Sequence, residues 1–175
     1  MKPLISRRPV PSTHQFSAAI APVVQRVLAA RSVLDDAALL LDFKALYPPK
    51  MLTGIDAAVG LLYAQLQRQG RVLIVSDFDA DGATSCALAI RALRAFGFHH
   101  VDYIVPNRFE YGYGLTPEIV ELARGKNPDL LITVDNGISS IEGVAAAQHL
   151  GIQVIITDHH LPGRELPAAD AIVNP

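Results

Sequence analysis

Three short motifs in the sequence concentrate residues that could bind a metal ion. Each contains at least one aspartate, and one ends in two histidines. The motifs are Asp77-Phe78-Asp79-Ala80-Asp81-Gly82, Asp135-Asn136-Gly137 and Asp158-His159-His160. Their carboxylates, if brought together, would repel one another and raise one another's pKa values unless a positive charge lay among them. Because carboxylate and imidazole ligands suit Mn²⁺, Mg²⁺ or Zn²⁺, the motifs predict a centre for one or two divalent ions.

The positions of the aspartates suggest different roles. Asp77 and Asp79 are two residues apart in an extended segment, so their side chains point the same way and both are candidate metal ligands. Asp135 is the candidate to bridge two ions. Asp81 could cap the helix that follows, and Asp158 could orient an imidazole from behind the ligands. An isolated aspartate of this kind is usually a turn or cap residue, so the prediction depends on the three motifs occurring together.

A fourth segment, Pro106-Asn107-Arg108-Phe109-Glu110-Tyr111-Gly112-Tyr113-Gly114, brings an amide, a guanidinium and three aromatic rings. Arg108, with Asn107 beside it, is a candidate to hold a phosphate, because a guanidinium can donate two parallel hydrogen bonds to phosphate oxygens. An aromatic ring of this segment could stack on a base. The alternative is that the rings close the hydrophobic layer and the glycines shape a loop.

The elements that must position these motifs alternate between strand and helix after Gly70. Apolar runs rich in β-branched residues predict strands, and amphipathic or alanine-rich stretches predict helices. The predicted strands cover 72–75, 101–105, 130–134 and 154–156, and the predicted helices cover 83–96, 116–124 and 139–150. Strands with little polar alternation, joined by helices, predict an α/β fold in which a parallel sheet has helices on both faces and right-handed crossovers. All four segments that carry the candidate residues follow predicted strands, and such sheets bind ligands at the carboxyl ends of their strands.

The first 70 residues predict a helical lead-in without catalytic features. Apolar spacing predicts helices over 17–31 and 35–42, and Thr53 with Asp56 resembles a capping box for a helix that reaches Gln69. Residues 1–34 carry five basic and no acidic side chains, so they hold a charge of +5, whereas the whole chain has 15 Lys and Arg against 17 Asp and Glu. Such a basic arm can attract a polyanion, although a solvated surface is the commoner explanation.

The composition excludes several protein classes. Half of the 175 residues are hydrophobic, which excludes a disordered chain, and no run of apolar residues predicts a signal peptide or a membrane span. Cys86 is the single cysteine of the sequence, so an internal disulfide is impossible and a reducing compartment, the cytoplasm, is expected. We interpret Cys86 as a small buried residue and the His99-His100 pair as surface residues.

The ordered motifs resemble the DHH phosphoesterase superfamily, named after the triplet that stands here as Asp158-His159-His160. The set formed by DFDADG, VPNRFEYGYGL, VDNGISS and TDHHLPG is similar to the bacterial single-strand-specific exonucleases of that superfamily. The resemblance implies removal of mononucleotides from the 5′ end of single-stranded DNA with Mn²⁺ or Mg²⁺, in recombination and repair. It also implies single-strand-binding protein and recombination helicases as partners.

The resemblance assigns roles residue by residue. It implies that Asp77, Asp79, Asp135 and His159 are metal ligands. His160 matches the second imidazole of the family, expected near the metals or the scissile phosphate, and we name it with Asp135 as catalytic.

The sequence departs from the family pattern at two places. Ser76 stands where relatives often have glycine, a change that should be tolerated. The family also has a further metal-binding aspartate downstream, then a second domain and an oligonucleotide-binding domain. We therefore expect residues 1–70 to be the lead-in and residues 71–175 to be the first part of a truncated DHH domain, which alone would be nearly inactive. Alternatives are a DHH phosphoesterase acting on a small nucleotide or pyrophosphate, and a non-catalytic fragment or binding module.

Overall fold

The centre of the fold is a five-stranded, entirely parallel sheet. A computed structural model describes residues 6–40 and 42–175 of the chain. The strands are β1 (Val72–Ser76), β2 (Val101–Ile104), β3 (Leu130–Val134), β4 (Gln153–Thr157) and β5 (Ala171–Val173), in the order β2-β1-β3-β4-β5. The four predicted strands and the parallel sheet are confirmed. The short edge strand β5 was not predicted as a strand, because three residues carry too little pattern.

The described part of the chain contains six α-helices. They are α1 (Pro22–Ala29), α2 (Ile55–Arg68), α3 (Ala80–Ala95), α4 (Arg108–Tyr111), α5 (Pro117–Arg124) and α6 (Ile141–His149). The predicted helix start at Thr116-Pro117 is confirmed, because the Thr116 side chain accepts a hydrogen bond from the Ile119 N–H. Helix α3 begins three residues earlier than predicted, and the single turn α4 was not predicted.

Helices cover both faces of the sheet, as predicted. On one face, α2 and α3 contribute Ala58 and Cys86 to a core with Ile74 and Ile132. On the other face, α5 and α6 pack against a second layer of buried side chains, which includes Leu73, Val75, Leu131, Val154, Val120 and Val144. Neighbouring residues of β1 therefore point to opposite faces. Because both faces are buried, the sequence of the strand is a continuous run of apolar residues.

The crossovers share one hand. The step from β1 to β2 runs toward one edge of the sheet with α3 on the first face. The steps from β2 to β3 and from β3 to β4 run the other way, with α5 and α6 on the opposite face. Reversing both the direction and the face preserves the hand, in agreement with the uniform crossover hand that such sheets adopt.

The chain divides into two compact units, one that ends at Tyr47 and one that spans Pro48–Pro175. In the first unit, α1 begins only at Pro22, and the predicted helix over 35–42 is wrong: a 3₁₀ turn, Ala37–Leu39, stands there. The Ala38 N–H donates to the Asp35 side chain, a local bond that favours a turn over a longer helix. Two predicted features fall partly outside the described residues, namely the basic arm at Lys2 and the helix over 35–42 at residue 41.

The start of α2 differs from the predicted capping box. Gly54, not Thr53, is the N-cap, and no side chain caps the helix. Gly54 has a φ of +79°, and a Cβ at this position would lie 2.0 Å from the Ile172 carbonyl oxygen of β5. The close approach of α2 to the edge strand therefore requires glycine here, and this tertiary contact determines where the helix begins.

Gly60, in the middle of α2, provides a test of helix propensity without a packing effect. It is exposed, and a Cβ there would meet no atom within 4 Å. Gly60→Ala should raise the free energy of unfolding by about 0.5–1 kcal/mol, because alanine loses less backbone entropy in a helix. Urea denaturation measures this change, and an unchanged or lower stability would contradict it.

Within the described residues, no helix has both the length and the apolar composition that crossing a membrane requires.

Candidate metal centre

The three aspartate motifs follow three adjacent strands and meet at one edge of the sheet. Asp77 follows β1, Asp135 follows β3 and Asp158 follows β4. Strand β2 lies on one side of β1, and β3 lies on the other side. The carboxyl ends of β1 and β3 therefore mark the point where the strand order reverses. Ligands bind at such a point in open α/β sheets, because the loops diverge there and leave a crevice.

Two groups of potential metal ligands lie at this edge, and Asp135 belongs to both. Ligand atoms of Asp77, Asp79 and Asp135 lie within 4.8 Å of one another. Ligand atoms of Asp135, His159 and His160 do so as well. The structure thus brings together the candidate ligands and places Asp135 between the two groups, where a bridging carboxylate would have to be.

Asp135 is held in an unusual backbone conformation. Its φ is +63°, in the left-handed region, and its N–H donates to the Thr157 carbonyl oxygen of the neighbouring strand at 3.0 Å. The His159 Nε2 lies 2.8 Å from Asp135 Oδ1. Burial raises the pKa of Asp135; the contact with His159 opposes this rise, and repulsion from Asp79 adds to it. A buried carboxylate beside another carboxylate is stabilised by a bound cation.

Asn136 ties together the strands that carry Asp77 and Asp135. Its side-chain nitrogen donates to the Val75 carbonyl oxygen of β1 at 3.1 Å and to the Val134 carbonyl oxygen of β3 at 2.9 Å. The side chain is almost fully buried, so these bonds are shielded from water. Sequence reasoning did not single out Asn136, although a buried amide next to the candidate bridging aspartate was a usable signal.

Asp79 caps α3, and the predicted cap Asp81 does not. The Asp79 side chain accepts a hydrogen bond from the Gly82 N–H at 3.1 Å, which lowers the pKa of Asp79, whereas Asp81 lies in the first turn of α3. The helix begins earlier than predicted, so the cap position falls on the earlier aspartate. Asp81 lines an open cleft of about 390 Å³ together with Asp135, Asp158 and other residues.

Asp158 lies behind the two histidines and is buried. Its Oδ1 accepts from the His160 Nδ1 at 2.7 Å and from the His159 N–H at 2.7 Å, and its Oδ2 accepts from the Ile138 N–H at 2.9 Å. Burial would raise the pKa of Asp158, but these hydrogen bonds outweigh burial and hold that pKa below its usual value. The carboxylate therefore stays charged, and its bond to Nδ1 fixes the orientation of the His160 ring.

Tyr113 is a site residue that the sequence suggested only as a possible stacking ring. Its hydroxyl lies 3.1 Å from His160 Nδ1 and donates to the Asp135 carbonyl oxygen at 3.3 Å. Burial, together with the nearby charges of Asp158 and Asp77, raises the pKa of Tyr113 to about 12. The hydroxyl therefore stays protonated, donates to the backbone of the candidate bridging aspartate and lies against the second imidazole.

Arg108 supplies a positive charge among the aspartates. Its Nη2 donates to both carboxylate oxygens of Asp77, at 2.6 and 2.7 Å, and Asp77 is 8% exposed. The guanidinium also lies over two aromatic rings, 4.2 Å from the Phe78 centroid and 5.0 Å from the Tyr113 centroid. The bond to Asp77 raises the pKa of Arg108. This pairing was not predicted, because the two residues are 31 positions apart in the sequence and become neighbours only when β1 and β2 pair in the folded sheet.

Asn107 lies at the start of α4, where its side chain accepts a hydrogen bond from the Phe109 N–H at 3.1 Å. Its role toward a phosphate stays a prediction, as does that of Arg108. The other residues without a predicted chemical role agree with expectation: Cys86 is buried, and His99 and His100 are exposed.

The donor set fits a hard divalent cation. It consists of carboxylate oxygens and imidazole nitrogens, two of its carboxylates, Asp77 and Asp135, are buried, and Arg108 is the one guanidinium on them among the described residues. A divalent cation would balance the remaining negative charge of the group, and Mn²⁺ and Mg²⁺ accept these ligand types.

Comparison with known protein families agrees with this site. A family model described as "DHH family, N-terminal domain" matches residues 71–175. The chain belongs to the DHH family. The triplet that names the family is the Asp158-His159-His160 motif at the end of β4.

Individual relatives of this DHH-family chain are exonucleases. The single-stranded-DNA-specific exonuclease RecJ of Escherichia coli (strain K12) is 48% identical over 171 residues, which cover 98% of this chain and 30% of that protein. The RecJ of Haemophilus influenzae (strain ATCC 51907 / DSM 11121 / KW20 / Rd) is 50% identical over 175 residues, which cover 100% of this chain and 30% of that protein. The chain thus spans about 30% of the length of these curated relatives.

Two solved structures resemble the DHH-family chain over most of its length. One is exonuclease RecJ bound to manganese, with a TM-score of 0.66 and 37% identity, covering 75% of this chain and 32% of that one. The other is RecJ from Thermus thermophilus in complex with Mn²⁺, with a TM-score of 0.65 and 28% identity, covering 93% of this chain and 25% of that one.

Proposed function

We propose that the chain carries the metal site of a single-stranded-DNA-specific exonuclease, a hydrolase that removes mononucleotides in the 5′ to 3′ direction during DNA recombination and repair. The observation that supports this most is the pair of ligand groups that share Asp135, with Arg108 beside them. The names of the most similar relatives, RecJ exonucleases in each case, point to the same substrate.

The metal ligands we propose are Asp77, Asp79, Asp135 and His159. Bound Mn²⁺ or Mg²⁺ would supply a Lewis acid and a water of lowered pKa that acts as the nucleophile near neutral pH. Asp135 would bridge the ions. His159 Nε2 and Asp135 Oδ1 lie 2.8 Å apart, so little rearrangement would be needed for both atoms to bind the same ion. No covalent protein nucleophile is required.

The remaining site residues would act on the phosphate. Asp158 holds the His160 ring through Nδ1, and Nε2, which contacts the Tyr113 hydroxyl at 3.5 Å, would donate to the scissile phosphate. The raised pKa of His160, which results from Asp158, favours a charged donor. Arg108 and Asn107 would orient phosphate oxygens. Preorganised donors of this kind stabilise the charge that develops in the transition state.

The proposal extends to the organisation and setting of the protein. Residues 71–175 would form the first part of the DHH phosphoesterase domain, and residues 1–70 would be its helical lead-in. Single-strand-binding protein and recombination helicases would be partners, and the cytoplasm would be the location. These proposals rest on the family resemblance and, for the location, on the single cysteine of the sequence.

The test is a nuclease assay on the full-length protein that carries this chain. A 5′-labelled single strand should release labelled mononucleotide at once in the presence of Mn²⁺, whereas a 3′-labelled strand should shorten progressively from its unlabelled end. The matched duplex and a dinucleotide serve as comparison substrates, and Asp135→Asn serves as the inactive control. Preference for the dinucleotide would favour a small-nucleotide phosphodiesterase and would contradict the proposal.

A substitution at Arg108 separates phosphate contact from metal support. Arg108→Ala should lower turnover by about 100-fold, a typical loss when one donor to a transition-state oxygen is removed. The Mn²⁺ dissociation constant should not rise, because the substitution removes a cation from Asp77 and no metal ligand. Turnover in the full-length protein and Mn²⁺ binding by calorimetry are the measurements. A weaker Mn²⁺ affinity would show instead that Arg108 supports the metal ligands.

A further inference from the structure

Two exposed aromatic rings lie close to Arg108, and neither takes part in the reaction proposed above. Phe109 is 91% exposed and Phe78 is 48% exposed. Their ring centroids are 6.4 Å apart, at an interplanar angle of 59°. Scattered exposed apolar residues are normal, but two neighbouring exposed rings next to a group of polar site residues are typical of a binding surface.

The local structure fixes the position of Phe109 with respect to Arg108. Both residues belong to the single turn α4, which Asn107 caps through the Phe109 N–H. The Arg108 guanidinium contacts Asp77, while the next side chain along the turn is left in solvent. A group bound to the arginine would therefore have an aromatic ring within reach, one residue away.

The Phe78 ring connects the two. Phe78 follows Asp77 directly, and the Arg108 guanidinium lies 4.2 Å from its centroid. The sequence of contacts is thus carboxylate, guanidinium, Phe78 and Phe109. A nucleotide has the matching order of groups, with a phosphate at one end and a planar base at the other.

We propose that Phe109, with Phe78 behind it, stacks on a base of the bound strand while the adjoining phosphate lies at Arg108 and the Asp77–Asp135 ligand group. This inference rests on the proposed function. Stacking tolerates every base, since each has a π-face, so the contact suits an enzyme without sequence preference. It also favours single strands, because a base in a duplex is already stacked and paired and is not free to meet a protein ring.

The 175 residues contain no tryptophan, so the emission of a single introduced tryptophan can report on one position. In the full-length protein, any tryptophan outside these residues is first replaced. Phe109→Trp keeps an aromatic surface and places a reporter at the site. The matched control is Phe96→Trp. Phe96 is 72% exposed and lies at the C-terminal end of α3, whereas the candidate metal ligand Asp79 lies at the N-terminal end. The probes are a ten-nucleotide oligo-dT with phosphorothioate linkages, which slow hydrolysis, and an abasic oligonucleotide of the same length and linkage.

Oligo-dT should at least halve the tryptophan emission of the Phe109→Trp variant and leave the emission of the Phe96→Trp variant unchanged, and the abasic strand should quench neither. In parallel, Phe109→Ala should weaken binding of a fluorescein-labelled oligo-dT by about tenfold, the range of one lost base–aromatic stack, whereas Phe96→Ala should not. The rise in melting temperature with Mn²⁺ should persist in Phe109→Ala, which shows that the site remains folded.

The possible failures are distinct. If the strand binds, by fluorescence anisotropy, and the emission of the Phe109→Trp variant does not change, the ring is covered by another part of the protein or is idle, and the inference is wrong while the proposed function stands. Equal quenching by the abasic strand would overturn stacking in favour of phosphate contact. If the full-length protein neither binds nor cleaves single strands, the proposed function fails and the inference fails with it.

Discussion

Mn²⁺ at about a hundred times its dissociation constant should raise the free energy of unfolding of the chain by about 2.7 kcal/mol. The ligands lie on loops after three different strands, so the complete set exists only in the folded state, and the ion binds that state preferentially. For a protein of this size, about 1 kcal/mol corresponds to roughly 2–4 °C in melting temperature, so we expect a rise of roughly 5–11 °C. Calorimetric scans with Mn²⁺ and with a chelator measure this rise.

Asp135→Asn should abolish most of the rise, because the amide keeps the shape of the side chain and loses the charge that is shared by both ligand groups. Asp102→Asn is the matched control. Asp102 is an exposed residue of β2 that pairs with Lys126 at 2.6 Å and belongs to neither ligand group. This control should respond to Mn²⁺ like the unmodified chain. Equal melting temperatures with Mn²⁺ and chelator would contradict the metal centre, as would a full response in Asp135→Asn.

Gly82→Ala should destabilise the fold and remove most of the Mn²⁺ response. A Cβ at Gly82 would lie 2.3 Å from the Asp77 carbonyl oxygen and 2.6 Å from its carbon, both of which are backbone atoms. The clash must be relieved by moving the start of α3 away from Asp77, and the Gly82 N–H also holds the Asp79 side chain. Forcing extra volume into a packed site costs about 1–3 kcal/mol.

Urea denaturation gives the stability of Gly82→Ala, and the melting shift with Mn²⁺ gives the state of the site. Gly60→Ala is the matched glycine substitution, with a free environment for the new methyl group, and it should be slightly more stable and respond fully to Mn²⁺. If Gly82→Ala were as stable as the unmodified chain and kept its Mn²⁺ response, the close approach of α3 to Asp77 would not be needed for the site.

The sheet and the convergence of the ligands could be predicted from the sequence for a simple physical reason. Strands buried on both faces are continuous apolar runs, and the carboxyl ends of parallel strands meet at one edge. Asp77, Asp135 and His159 each follow such a run closely, so the position in the sequence determined the position in space. The role of each residue remains a prediction until metal binding is measured.

Other features depend on contacts between distant segments, which local patterns do not contain. Gly54 begins α2 because of its contact with Ile172 in β5, and that contact overrides the capping box at Thr53. The pairing of Arg108 with Asp77 and the left-handed backbone of Asp135 likewise arise from the assembled edge of the sheet. Asp79 rather than Asp81 is the N-cap because α3 begins three residues earlier than predicted. The ends of helices are the part that a sequence-based prediction places least reliably.

The metal centre is tested most directly by anomalous diffraction from crystals of the chain soaked in Mn²⁺. We expect an anomalous peak within about 2.3 Å of Asp135 Oδ1 and His159 Nε2, a typical distance for hard cations and their ligands, with Asp77 and Asp79 on the other side of Asp135. A saturating soak that gives no peak at this edge of the sheet, or a peak only at other acidic residues, would contradict the assignment of these strand ends as a metal centre.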